Sequence, residues 1–143
     1  MREFDVVVLG AGAAGEVTAG RLGQIGLSVA LVEQALVGGD CSYYACMPSK
    51  ALLRPVELAN EVRRVRGLEA SPIDTAAVLR RRDEVIHNLD DSGQLPWLET
   101  RGVTLVRGRG RITGELTLAV EGQEPLRARR AVVVATGSTP LIP

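Results

Sequence analysis

The chain has 143 residues, with seventeen Lys+Arg against seventeen Asp+Glu, so its formal net charge is zero. This length suits one ordinary domain with a sizeable core, and the charge balance removes the basic footprint of a nucleic-acid binder. No apolar run approaches the ~20 residues of a membrane helix, and 45% apolar against 24% charged residues argues against long disorder.

Residues 4–9, Phe-Asp-Val-Val-Val-Leu, form a β-branched apolar run suited to a strand buried on both faces. A glycine-rich turn follows at 10–15. Residues 16–25 then suit a helix stopped by Gly26, and 27–32 form a second buried strand ending at Glu33. The whole βαβ unit fits the length of a parallel crossover. Beyond the unusual stretch 38–50, residues 51–65 read as a helix that Pro55 should kink or interrupt. Ser71-Pro72 breaks the chain, Asp74 caps a helix over 76–89, and Asp91-Ser92-Gly93 ends it. Residues 103–106 read as a short strand. The segments 107–112, 116–120 and 126–129 read as an antiparallel meander, and 131–135 as a further buried strand ending at Thr136-Gly137. The expected fold class is therefore α/β, with a parallel sheet, crossover helices and a small meander. Residues 138–143 look like a connection leaving a domain.

Gly10-Ala11-Gly12-Ala13-Ala14-Gly15 is a G-x-G-x-x-G between a strand and a helix. Gly10 allows a tight turn, Gly12 lets backbone approach a pyrophosphate, and Gly15 allows close packing of helix and strand. Ala13 and Ala14 belong to the same turn and are candidate cofactor contacts, and the helix after it turns its unpaired N–H groups and positive dipole end to the phosphates. Glu33, eighteen residues after Gly15, stands where a carboxylate can accept from ribose hydroxyls. The turn alone does not distinguish FAD from NAD.

Gly38 to Lys50 holds both cysteines, Cys41 and Cys46, and the only lysine, Lys50. On a regular helix the cysteine Cα atoms would stand ~7.5 Å apart along the axis, beyond the usual ~4.4–6.8 Å of a disulfide. They can pair only if the backbone between them is irregular, which Gly38-Gly39 and Pro48 make plausible. A cysteine at a helix N-terminus has its thiolate stabilised by the dipole, and a low-pKa thiol beside a partner suits reversible dithiol chemistry. Two ordinary buried thiols are the competing reading. A zinc site wants four ligands, and the chain offers two Cys and one His, so no metal site is assigned.

With Gly38-Gly39-x-Cys41-x₄-Cys46-x-Pro48-Ser49-Lys50, the Gly10–Gly15 turn with Glu33, and Ala135-Thr136-Gly137-Ser138-x-Pro140, the chain resembles the N-terminal FAD-binding part of the class I pyridine nucleotide–disulfide oxidoreductases. That family includes dihydrolipoamide dehydrogenase, glutathione reductase and mercuric reductase. The Ser49–Leu53 ending is closer to the dihydrolipoamide dehydrogenase branch. The resemblance implies that Cys41 attacks the substrate disulfide, that Cys46 makes the charge-transfer contact with flavin, and that Lys50 lies near its reactive nitrogen. It also implies FAD contacts from Gly39, from the residue at Asp40, from Gly110, and from Ala135, Thr136 and Gly137.

Two departures stand out. The family commonly has Thr where Asp40 stands, and Tyr43-Tyr44-Ala45 replaces its usual Asn-Val-Gly. The tyrosines read as loop packing, or as shaping access to Cys41. His87, the only histidine, sits in a charged helix and reads as exposed; the family's catalytic base is a histidine in a C-terminal domain. Trp97 reads as a packing anchor.

The resemblance implies a homodimeric enzyme using FAD and NAD(P) and acting on a small disulfide or dithiol. The acid-bearing start of the chain reads as no signal peptide, which with a catalytic cysteine pair suggests a cytoplasmic place, and the charge balance and the lack of a membrane-length run suggest no nucleic acid or membrane partner. Residues 1–143 would be the first segment of a discontinuous FAD domain, inactive alone, with one sheet position unfilled. A mercuric or low-molecular-weight disulfide reductase, a plain NAD-binding domain with incidental cysteines, and a flavin monooxygenase-like domain remain as alternatives.

Overall fold

The computed structural model describes residues 1–139, 141 and 142. It divides into two compact units, residues 1–39 with 91–143, and residues 40–90. The first unit is built on β1 (Arg2–Leu9), α1 (Ala13–Gln24), β2 (Val29–Glu33), α5 (Leu95–Glu99), β3 (Val103–Arg107), β4 (Gly110–Gly114), β5 (Thr117–Val120) and β6 (Leu126–Val134). The second holds α3 (Cys46–Arg64) and α4 (Thr75–Val85), which pack on each other. The five-residue α2 (Gly39–Tyr43) leads into it.

One six-stranded sheet runs in the order β3-β2-β1-β6-β5-β4. The pairs β3–β2, β2–β1 and β1–β6 are parallel, while β6–β5 and β5–β4 are antiparallel. The parallel sheet and meander expected from the sequence are thus one mixed sheet. Residues 126–129 and 131–135, read as two strands, form the single nine-residue β6. Its first half pairs with both β5 and β1, and residues 131–134 pair with β1. Among the described residues no strand covers the other edge of 131–134.

Side chains alternate across the sheet and build two cores. Val6 and Val8 join Val29, Leu31, Val37, Leu98 and Val103 on one face. Val7 and Leu9 join Phe4, Val32, Val106, Leu118 and Leu126 on the other. Phe4 shares a face with Val7 because the β1–β6 register shifts between Phe4 and Val6, as a bulge does. At the N-terminal end of the sheet, Asp5 Oδ2 accepts from the Ser28 amide (2.9 Å) and hydroxyl (2.8 Å), and Arg129 Nε lies 3.3 Å from Oδ1. The Ser28 amide, its hydroxyl and Arg129 hold the Asp5 carboxyl down at about 2.

Several boundaries differ from the sequence reading. Helix α3 begins five residues early and runs through Pro55 without interruption. Proline removes one intrahelical donor there, but the long helix keeps its other bonds and its packing on α4. Helix α4 stops at Val85, and His87–Leu89 form a left-handed turn instead of its last turn. The sequence reading missed α5, which starts with proline in its first turn and buries Leu98 completely. Next to Leu98, Trp97 covers Gly20, where a Cβ would collide with the indole, and Arg101 stacks on the ring at 4.0 Å. No helix among the described residues is long and apolar enough to cross a membrane.

Candidate functional site

The first unit gathers its predicted residues at the C-terminal ends of β1, β2 and β6. Gly10 turns the chain with φ 101°, and a Cβ there would strike the Ala135 carbonyl. The Ala135 amide donates to the Leu9 carbonyl (2.8 Å), bringing Ala135, Thr136 and the positive-φ Gly137 beside the turn. Gly15 has no room for a side chain, since its Cβ would sit on the Gly10 carbonyl oxygen. Gly39, at φ 59°, comes so close that a Cβ would lie 2.7 Å from Gly12 Cα. Gly110 is held by packing: a Cβ would meet the Leu9 and Val32 side chains.

Gly12 is different. A Cβ on it would meet nothing within 4 Å, and it caps α1 with no side-chain hydrogen bond. The exposed Ala13 and Ala14 continue the helix from this open position. The opening N–H groups of a helix have no partner inside the helix, and donors of this kind suit an anion. Glu33 is fixed at its side: Oε2 accepts from the Ala11 amide and Oε1 from the Ala35 amide, both at 2.7 Å. This donor set fits a dinucleotide, with N–H groups for pyrophosphate and a carboxylate retaining lone pairs for hydroxyl donors.

Three residues that sequence reasoning did not assign to the site shape this end. Asp91 Oδ2 accepts from the Val37 amide (2.7 Å) and from Arg107 (2.6 Å), and Arg107 also donates to the Ala35 carbonyl (2.6 Å). Together they fasten the loop after β2. No local spacing signals partners so far apart in the chain. The third is Glu16, half-buried in the first turn of α1, where burial pushes its carboxyl up. An acid in a first helical turn signals only the dipole, which acts the other way.

In the second unit, α2 ends at Tyr43, and the Tyr44 and Ala45 amides both donate to the Asp40 carbonyl (2.8 and 2.6 Å). Ala45 then leaves helical geometry at φ −124°, ψ −88°, and α3 starts at Cys46. This break supplies the irregularity that a cysteine pair requires. It falls at residues 44–45 and not at Pro48, whose missing N–H costs nothing in the first turn of α3. The half-buried Cys41 and exposed Cys46 are free thiols. Hydrogen bonding with Cys46, then burial, then the charge on Cys46 push the Cys41 thiol up, while Lys50 pulls it down. Cys41 therefore departs from the low-pKa thiol expected at a helix start. Lys50 follows Cys46 by four residues, on the same face of α3.

Asp40 is exposed. The tyrosines divide: Tyr43 is buried and Tyr44 is exposed. Both line an open hollow of about 470 Å³, with Pro48 and with residues of α4 and the turn after it. His87 is exposed on that turn. Pro140, part of the 135–140 match, lies outside the described residues.

A family model described as pyridine nucleotide-disulphide oxidoreductase matches residues 4–143. The chain is 33% identical over 142 residues to dihydrolipoyl dehydrogenase of Chlamydia muridarum, covering 96% of this chain and 30% of that protein. It is 38% identical over 151 residues to dihydrolipoyl dehydrogenase 3 of Pseudomonas aeruginosa, covering 98% and 32%. A Cu(II) complex of the HOCl-induced flavoprotein disulfide reductase RclA from Escherichia coli superposes with a TM-score of 0.81 at 23% identity, over all of this chain and 30% of that one. The chain thus spans about a third of the length of the relatives it matches.

Proposed function

Because the chain belongs to the pyridine nucleotide-disulphide oxidoreductase family, we propose that it is the FAD-holding N-terminal segment of a dihydrolipoyl dehydrogenase-like enzyme. The observation that carries this reading is the pair of free thiols, Cys41 and Cys46, on either side of a broken helix start, with Lys50 one turn further along α3. The whole enzyme would be a cytoplasmic homodimer using NAD(P) and a small disulfide or dithiol.

Gly10, Gly12, Ala13, Ala14 and Gly15 would hold the pyrophosphate of FAD, Glu33 a ribose, and Gly39, Asp40, Gly110, Ala135, Thr136 and Gly137 would complete the cradle. When bound, FAD supplies the two-electron path between NAD(P)H and the cysteine pair. Cys41 gives its proton to a base, and its sulfur then attacks a substrate sulfur. One Cys41–substrate S–S bond forms, the substrate S–S bond breaks, and the first thiolate leaves and takes a proton. Cys46 then gives its proton to a base, its Sγ attacks Cys41 Sγ, the Cys41–substrate S–S bond breaks as the Cys41–Cys46 disulfide closes, and the second thiolate leaves and takes a proton. Two electrons have passed from the pair to the substrate, and the dehydrogenase direction is the reverse. Lys50 places a positive charge beside the pair throughout.

Cys46→Ser in the whole enzyme tests the reading: dithiol-dependent turnover should be abolished with FAD still bound, and unchanged turnover would refute it. The 143-residue chain alone should bind FAD without NAD(P)H–disulfide turnover. A chain that binds NAD but no flavin would instead support the plain NAD-domain alternative.

A further inference from the structure

His87, Asn88 and Leu89 have φ of 51°, 52° and 63°, three consecutive non-glycine residues in the left-handed region. Only glycine visits that region freely, and other residues visit it singly. The turn closes its own bonds, from the Leu89 amide to the Ile86 carbonyl and from Asp90 to His87, both 3.0 Å. Along α4 and its cap the less exposed positions are Ala77, Val78, Arg82, Asp83, Val85 and Ile86. Leu89 is next at helical spacing, so a right-handed continuation would lay it on that inward stripe. In the left-handed turn it is instead 43% exposed. There Asn88 and Leu89, with Ile86 and the paired Arg82 and Asp83, line the hollow together with Tyr43, Tyr44 and Pro48. Two of those, Tyr43 and Tyr44, are among the four residues between the cysteines.

We propose that residues 87–89 are a two-state wall of this hollow. The left-handed turn holds it open beside the redox segment, and continuation of α4 to residue 89 withdraws Asn88 and Leu89 from it. The occupant that selects the open state is the apolar or aromatic arm of a small disulfide, seated between the tyrosines and Leu89. The occupant's identity rests on the thiol–disulfide reading above, whereas the two-state turn does not.

The test uses the full chain with its cysteines reduced. Asn88→Gly removes strain and should keep the left-handed turn. His87→Ala with Asn88→Ala favours the right-handed continuation through helix propensity, by roughly threefold for each substitution. Backbone chemical shifts report the handedness of 87–89. The rates of reaction with 4,4′-dithiodipyridine and with 2-hydroxyethyl disulfide report the hollow. The double alanine variant should show helical shifts through residue 89 and slower reaction with the aromatic disulfide only, while Asn88→Gly should match the parent. Left-handed shifts retained in the alanine variant would overturn the proposal, as would a helical extension that leaves both rates unchanged. If the unsubstituted pair reacts with neither disulfide, the redox-pair reading fails instead, and the chemical shifts still decide the turn.

Discussion

Gly12→Ala and Gly15→Ala separate the ligand role of the glycine turn from its packing role. At Gly15 a methyl would sit on the Gly10 carbonyl oxygen, and the Gly10 carbonyl carbon would be only 2.9 Å away. Backbone must move, and overpacking of this kind costs about 3 kcal/mol or more. At Gly12 the methyl meets nothing within 4 Å, and φ −69°, ψ −179° suits any residue. Loss of a favourable cap and reduced freedom of the unfolded chain oppose each other, so stability should change by less than about 1 kcal/mol. The same methyl would occupy the space through which phosphate reaches the start of α1. Losing one or two hydrogen bonds to a charged group, at about 1.5–3 kcal/mol each, weakens FAD binding at least tenfold. Urea unfolding of the apo chain and FAD titration by flavin fluorescence check both halves. A Gly12→Ala chain that folds normally and binds FAD as tightly as the parent would refute the assignment of that space. An unperturbed Gly15→Ala chain would refute the packing argument.

Other expectations follow from the polar contacts. The carboxyl of Asp5 is depressed from 3.8 to about 2, so its contribution is present above about pH 4 and is lost as pH falls through about 2. Asp5→Asn should flatten that acid limb in urea midpoints measured between those values. Asp91→Ala strands the amide of the fully buried Val37 and should cost about 2 kcal/mol, whereas Asp91→Asn keeps an acceptor and should cost less, read by denaturant unfolding. Cys46→Ala removes the main cause of the raised Cys41 thiol, so the pH profile of Cys41 alkylation should move down towards 9.0; Lys50→Ala should move the parent profile up. A profile indifferent to both changes would dissociate Cys41 from its two neighbours.

The glycine turn, Glu33 and the cysteine run were legible in the chain because each rests on local spacing. The structure packs Gly10, Gly15 and Ala135 together and sets Gly39 against the Gly12 backbone, leaving the Cβ side of Gly12 open. What escaped was non-local or strained. Asp91 and Arg107 find Val37 and Ala35 only through the fold. The helix start at Cys46 was hidden because proline reads as a breaker, although the first turn tolerates it. Periodicity carried α4 on to Leu89, since no pattern of side chains announces three left-handed residues in a row. The merger of 126–129 with 131–135 was missed because one strand serves antiparallel neighbours with one half and a parallel neighbour with both.

The placement of β1 bears on how the chain is made. This first strand lies in the middle of the sheet, with β2 on one side and β6 on the other, and Leu9 pairs with Val134. At a synthesis rate of ~5–20 residues per second, β1 waits roughly ten seconds for its second neighbour to leave the ribosome. Meanwhile the Val6–Leu9 run, fully apolar and β-branched for three of its four residues, has an open backbone edge. Such a run invites pairing with a neighbouring nascent chain. Folding yield in the cell should therefore depend on how quickly the last strand arrives, and on whether a chaperone shields the first until it does.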